Sequence, residues 1–336
     1  MDFTILPFAL VLFASLFQGS FGIGMKFMAP LSWEAWWLVH ATVAMIVLPL
    51  TAALFTVPDL FTIISSAPSE AIWLGMVFGF LWGIGGIMFG KSIPYIGISL
   101  TYGIVMGVCS AVGSLIPYFQ LENASTLPAY PYVMSGVLVM LVGVAITAYA
   151  GIKRDKVVNT GNSNQKNLKL GLIIALVSGV LSALLNVGFV NAQPVGQAAE
   201  ASGVLARNSS LAIWVVVLFG AYIMNAGYAL FLLTKNKTWN TFSVPQAGKA
   251  YRWSVVAGFL WFGALAIYGQ GATLMGAMGP VIGWPILLGV SLIVSNIWAY
   301  LNQEWDGAKN AFNWLLFGLL VLIGATVLLG YANGVA

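Results

Sequence analysis

The sequence predicts an all-α membrane protein: ten transmembrane helices in two five-helix repeats of opposite orientation. Three observations carry that reading. Of 336 residues, 60% are hydrophobic and only 7% charged, where a soluble domain carries about 25% charge, and the mean hydropathy is +0.95. A chain so poor in charge cannot cover itself with a water-facing surface. The apolar residues come in solid runs of about 20, the length that crosses a bilayer as a helix, and lack the alternation of a β-barrel. Finally, Gly-Phe-Leu-Trp occurs twice, at 79–82 and 258–261, and the echo continues, Gly90 answering to Gly269 and Gly97 to Gly276. Such repetition is the signature of a carrier made of two related halves.

The spans fall near 3–24, 33–55, 71–91, 95–118, 131–151, 169–191, 209–233, 251–273, 279–300 and 311–332. The first reads as a span and not as a cleavable leader, because Met1-Asp2 supplies no positive charge ahead of it. The third carries Gly75, Gly79, Gly83, Gly86 and Gly90 at helical spacing, one face without side chains that lets a neighbouring backbone approach. The fourth adds Gly103 and Gly107. After the fifth comes the longest polar stretch, Lys153 to Asn167, read as a flexible linker. The domains are therefore 1–151, the linker 152–168, and 169–336. The sixth span matches the first (Ala175, Leu176, Val177, Gly188 against Ala9, Leu10, Val11, Gly22). The ninth matches the fourth (Gly279, Ile286, Gly289 against Gly97, Ile104, Gly107), and the tenth the fifth (Gly318, Leu320, Val321 against Gly136, Leu138, Val139). Five spans per half is an odd number, so the second half inserts upside down. Pro30, Pro94, Pro117, Pro194 and Pro280 fall near expected helix ends. Pro285 lies inside the ninth span, where it frees a carbonyl and predicts a kink.

Charge sets the orientation. All but one of the 13 Lys and Arg lie in odd-numbered loops; Arg207 is the exception. Basic loops stay in the cytoplasm, so both termini are expected to face outward. The basic stretches are loop faces with no recognition module, which excludes nucleic acid as a partner. One cysteine, Cys109, excludes an intrachain disulfide and a thiolate metal cluster. One histidine and scattered acids exclude an embedded hydrolase or metalloenzyme. No cofactor is expected.

Trp33, Trp36, Trp37, Trp73, Trp253, Trp298, Trp305 and Trp314 lie near span ends and read as the interfacial belt. Trp82 and Trp261 fall at mid-depth, at matching points of the two halves, and are expected to wall a central cavity, with Trp284 beside Pro285. Neutral polar residues within the spans are the expected edge partners of a polyhydroxylated ligand: Gln18, Asn186, Asn191, Asn225, Tyr268 and Gln270. The titratable candidates for proton coupling are Glu34, His40 and Glu304; each also has a structural reading as a helix end or a hydrogen-bonded side chain.

Ser32-Trp33-Glu34, Trp82-Gly83-Ile84-Gly85, Tyr95-Ile96-Gly97, Asn191-Ala192 before Pro194, Asn225 and Glu304-Trp305 together resemble the L-rhamnose–proton symporter family of the drug/metabolite transporter superfamily, along essentially the whole chain. The resemblance implies the drug/metabolite transporter fold, a bacterial inner-membrane location with both termini periplasmic and uptake of a deoxy-sugar with a proton, and favours Glu34, Trp82, Asn191, Asn225 and Glu304. The chain departs from that pattern at Ala277–Val281, which holds no acid, and at Gln193, where a basic residue is expected. The expectation is a secondary importer of a small neutral sugar in the lipid bilayer, the alternative an exporter of amino acids or other metabolites.

Overall fold

The computed structural model describes residues 5–158 and 167–335. Among the described residues there is no strand. Ten rods are long and apolar enough to cross a membrane: Ile5–Phe27, Trp33–Thr56, Ser69–Ile96, Ile98–Phe119, Tyr130–Val157, Leu168–Ala201, Ala206–Asn236, Pro245–Leu274, Gly276–Leu301 and Lys309–Gly334, here spans 1 to 10. Ten crossings put both chain ends on one face. The other face holds the basic loops.

The boundaries follow the sequence with informative differences. The helix that ends span 5 runs on to Val158, into the stretch expected to be a linker. The rest of that stretch, 159–166, lies outside the described residues. Span 3 passes through Pro94 and stops at Gly97, whose φ of 80° ends the helix. Gly276, the first residue of span 9, has φ 67° two residues after the helix of span 8 ends at Leu274. Such values favour glycine because they crowd a Cβ. Span 6 continues past Asn191 through a single non-helical residue, Ala192, and Pro194 then sits in the first turn of Gln193–Ala201, where proline costs nothing. Span 2 is α-helical to Thr42, π-helical over Val43–Val47 and α-helical again to Thr56.

Prolines inside the rods decide how the centre is joined. Pro117 has no N–H for the carbonyl of Gly113, and Pro285 none for that of Val281. Lipid offers no water as a replacement donor. The Asn186 amide donates to Gly113 O (2.8 Å), and the Ser114 hydroxyl to Val281 O (2.6 Å). The helix Gly279–Leu301 runs unbroken through Pro285, the freed carbonyl being claimed from span 4.

Helix packing rests on missing side chains. Span 3 lies on span 7 with Gly79 against the Val217 backbone and Gly220 against the Met76 backbone. Spans 5 and 10 meet reciprocally. A Cβ on Gly136 would sit 2.7 Å from Leu329, and one on Gly318 would sit 2.7 Å from Thr147. Span 3 also packs on span 6, span 1 on spans 8 and 9, span 6 on span 4, span 2 on spans 7 and 8, and span 4 on span 9. Spans 7 and 8 pack together, whereas spans 2 and 3 share no comparable interface. Packing is densest on the terminal face: every residue from Gly279 to Gly289 is buried, while the basic-loop end of span 9 is partly or fully exposed.

Gly79→Ala is expected to cost about 1–3 kcal/mol, because its Cβ meets rigid backbone. Gly86→Ala, with nothing within 4 Å, should be neutral or stabilising by up to about 1 kcal/mol. Thermal unfolding in detergent checks both.

Candidate functional site

Ser32 fixes the start of span 2, its hydroxyl accepting the Ala35 N–H at 3.3 Å. From that cap, residues 33, 37 and 40 fall on one helix face. Trp33 stacks on Trp37 (5.5 Å, 10°), and Trp37 leans over His40 (4.9 Å). Trp36 lies parallel to the imidazole (5.4 Å, 6°). Phe21 of span 1 (6.3 Å) and Trp261 of span 8 (6.4 Å, edge-on) complete a box of four aromatic rings around His40. Trp261 then meets Trp82 of span 3 (5.3 Å, 32°). The two tryptophans that the repeat singled out are thus in contact, at the end of a row of rings that begins at Trp33.

Asn225 of span 7 closes one side of this row. Its Oδ1 accepts from Trp37 Nε1 (3.0 Å), and its Nδ2 donates to Ala221 O (2.9 Å). One amide N–H remains for a further acceptor. Gly83 leaves room for it, since a Cβ there would lie 3.0 Å from Nδ2. The hydroxyls of Thr42 and Tyr222 lie 3.3 Å apart beyond. Gln18 Oε1 and His40 Nδ1 are buried without a protein partner. Trp261 is 5% exposed and Trp82 half-buried, so the accessible aromatic face is that of Trp82. Flat apolar faces beside neutral amide groups suit a ligand with C–H faces and hydroxyl edges.

Three other expected residues lie together elsewhere. Asn186 donates to Gly113 O and Pro280 O and accepts from the Tyr268 hydroxyl (2.6 Å). Trp284 seats over Gly113, meets Tyr268 edge-on (5.6 Å) and donates to Cys109 O (3.3 Å). Together with Phe189 and Trp214 they form a closed knot on the terminal side. Asn191 bonds only its own helix, at Val187 O, and Gln270 is half-buried. Two tryptophans expected in the interfacial belt are enclosed instead, Trp36 at 0% and Trp305 at 5% exposure. Trp73, at 65%, does face outward. Sequence reasoning thus missed Trp36, Trp37 and Phe21 as neighbours of His40. The 33/37/40 spacing counted from the Ser32 cap was the available signal for Trp37.

The two candidate acids sit at the basic-loop end. Glu34 is buried, accepts from Asn236 (3.1 Å) and Thr238, and has no cation in salt-bridge range among the described residues. Glu304 instead joins spans 1, 5 and 9, bound by Lys26 (2.6 Å) and Arg154 (3.6 Å). Arg154 also covers the Trp305 ring at 5.0 Å. Separately, Gly90, Lys91, Pro94, Tyr95 and Ile174 line a partly open cavity of about 480 Å³.

Residues 5–335 match the family model of the L-rhamnose-proton symport protein (RhaT). Proteins named L-rhamnose-proton symporter from Yersinia pestis (strain Pestoides F) and Yersinia pseudotuberculosis serotype O:1b (strain IP 31758) are each 29% identical over 308 residues, 89% of this chain and 89% of the relative. A solved structure described as "Crystal structure of protein" shares the fold, with a TM-score of 0.62 at 14% identity over 95% of this chain and 94% of its own. The chain belongs to the L-rhamnose-proton symport protein family.

Asn186→Ala strands two carbonyls and a hydroxyl in the core, and is expected to cost about 2–4 kcal/mol. Asn191→Ala should stay within about 1 kcal/mol. Comparative melting curves of the purified protein decide between them.

Proposed function

We propose that this chain imports L-rhamnose or a closely similar deoxy-sugar together with a proton, by alternating access between two inversely related halves. The observation that carries the reading is the contact of Trp82 with Trp261 beside Asn225 and the boxed His40. The sugar stacks on Trp82 and takes the spare Asn225 N–H; Gln18 Oε1 supplies an acceptor. Asn186, Tyr268 and Trp284 hold the helices around the site. The proton is carried at Glu34, whose hydrogen-bond donors are neutral and would tolerate its protonation. Glu304, clasped by two cations, is read as a brace.

Several features support the inverted repeat. The step that carries Gly136 to Gly318 also carries Thr147 to Leu329, so the reciprocal contacts of spans 5 and 10 are one contact made twice. The same step carries Tyr102 to Trp284, and the step from Trp82 to Trp261 carries Phe89 to Tyr268. Phe89–Tyr102 (6.0 Å, 81°) and Tyr268–Trp284 (5.6 Å, 64°) are both edge-on pairs. Gly97 and Gly276, related by that step too, share a positive φ, 80° and 67°. Moving each span five places on maps most of the packing pairs onto one another. With the basic loops cytoplasmic, the dense terminal side is periplasmic and the looser side faces the cytoplasm.

Counterflow of labelled L-rhamnose into proteoliposomes, with and without an inward proton gradient, tests the function; gradient-stimulated uptake is the expected result, and efflux of amines or amino acids without sugar uptake would favour an exporter. Stacking contributes on the order of 1 kcal/mol beyond burial, so Trp82→Ala should raise KM about fivefold or more, and Trp314→Ala on the lipid face should not. Glu34→Gln is expected to uncouple uptake from the gradient while sugar exchange persists. Glu304→Gln should leave coupling intact.

A further inference from the structure

The terminal face is shut where span 8 meets span 7 at Gly269. A Cβ on Gly269 would lie 2.5 Å from Trp214 Nε1 and 3.1 Å from the Ser210 side chain, so the closure depends on glycine. The repeat step that carries Trp261 back to Trp82 carries Gly269 back to Gly90. The seat has a counterpart too. Ser210 and Trp214 of span 7 match Ser32 and Trp36 at the start of span 2, and the step that relates them also relates Lys237 (φ 56°) to Asp59 (φ 52°), both left-handed. Trp36 and Trp214 are each 0% exposed, and each leaves its Nε1 without a partner.

One half of this correspondence is open. Gly90 is exposed and has nothing within 4 Å of its Cβ position; the 480 Å³ cavity it borders is lined from spans 3 and 6. Pro94 removes the N–H that would close the next helical bond to the Gly90 carbonyl, so an acceptor is left there for another donor. Spans 7 and 8 are packed, and spans 2 and 3 share no comparable interface. The molecule is thus closed at one member of a duplicated junction; at the other Gly90 stands clear, and Trp36 is covered instead by residues of spans 1 and 8.

We propose that Gly90 is the closing point of the second gate. When the terminal face opens, spans 1 and 8 uncover Trp36 and span 3 seats Gly90 on Ser32 and Trp36 of span 2, as Gly269 is now seated on Ser210 and Trp214. The absence of a side chain at Gly90 is a requirement of the state not seen here. This rests on the inverted-repeat reading above, but not on the identity of the sugar.

Gly90→Leu has room in the present state, so its melting temperature should match the parent protein, while net uptake falls about tenfold or more because the second closure is blocked. In a second variant, Gly90→Cys, the thiol should react with a membrane-impermeant maleimide from the basic-loop face at rest and be protected about tenfold when turnover populates the other state; the native Cys109 is buried and serves as the background. Ser32→Cys with Gly90→Cys should form a reversible disulfide only under those conditions. Parent-level uptake by Gly90→Leu, or unchanged Gly90→Cys reactivity during turnover, overturns the proposal. The substrate is read separately: a chain that forms the cross-link under a proton gradient but moves no L-rhamnose loses the sugar assignment and keeps the gate, and one that moves L-rhamnose and never forms it loses the gate alone.

Discussion

Inside a bilayer a carbonyl that loses its helical donor must find another within the protein. Pro117 and Pro285 impose that requirement on spans 4 and 9, and the answers come from other spans: Asn186 from span 6 and Ser114 from span 4. Because Asn186 also bonds Pro280 O and receives the Tyr268 hydroxyl, one side chain ties four spans together. The dense terminal half of the molecule is built around that junction. The aromatic row from Trp33 to Trp82 lies beyond it, in the half where packing loosens.

Much of the architecture was legible in the sequence. Runs of apolar residues located ten spans because lipid leaves helices little alternative. Repetition located Trp82 and Trp261, which do meet. What the sequence did not separate was polar residues that hold helices together from polar residues that face a ligand. Asn186 and Asn225 are the same residue type at similar depth, yet one has its donors spent on two backbone carbonyls and the other keeps an N–H. Counting back four residues from Pro117 would have marked Gly113 as needing a donor, but not which asparagine supplies it. Trp36 and Trp305 read as belt residues because proximity to a span end says nothing about which way a ring turns.

Glu304 and Glu34 show the same difficulty for charge. Both stand at basic-loop ends of spans, and composition treats them alike. Lys26 and Arg154 converge on Glu304 from spans 1 and 5, whose sequence positions are remote. Glu34 receives only neutral donors, from the far end of span 7. Which acid is paired with a cation is a tertiary fact, set by loop geometry that no local pattern encodes.

The close approach of spans 3 and 7 has a mechanical consequence. At Gly79 and Gly220 the two backbones touch with no side chains between them, so there is no compliant layer of rotamers to absorb a displacement. Sliding or separating the two rods at these points would therefore break direct backbone contact, which favours their moving together. Deformation has to be taken up at softer joints, of which the π-helical stretch Val43–Val47, just beyond His40, is one.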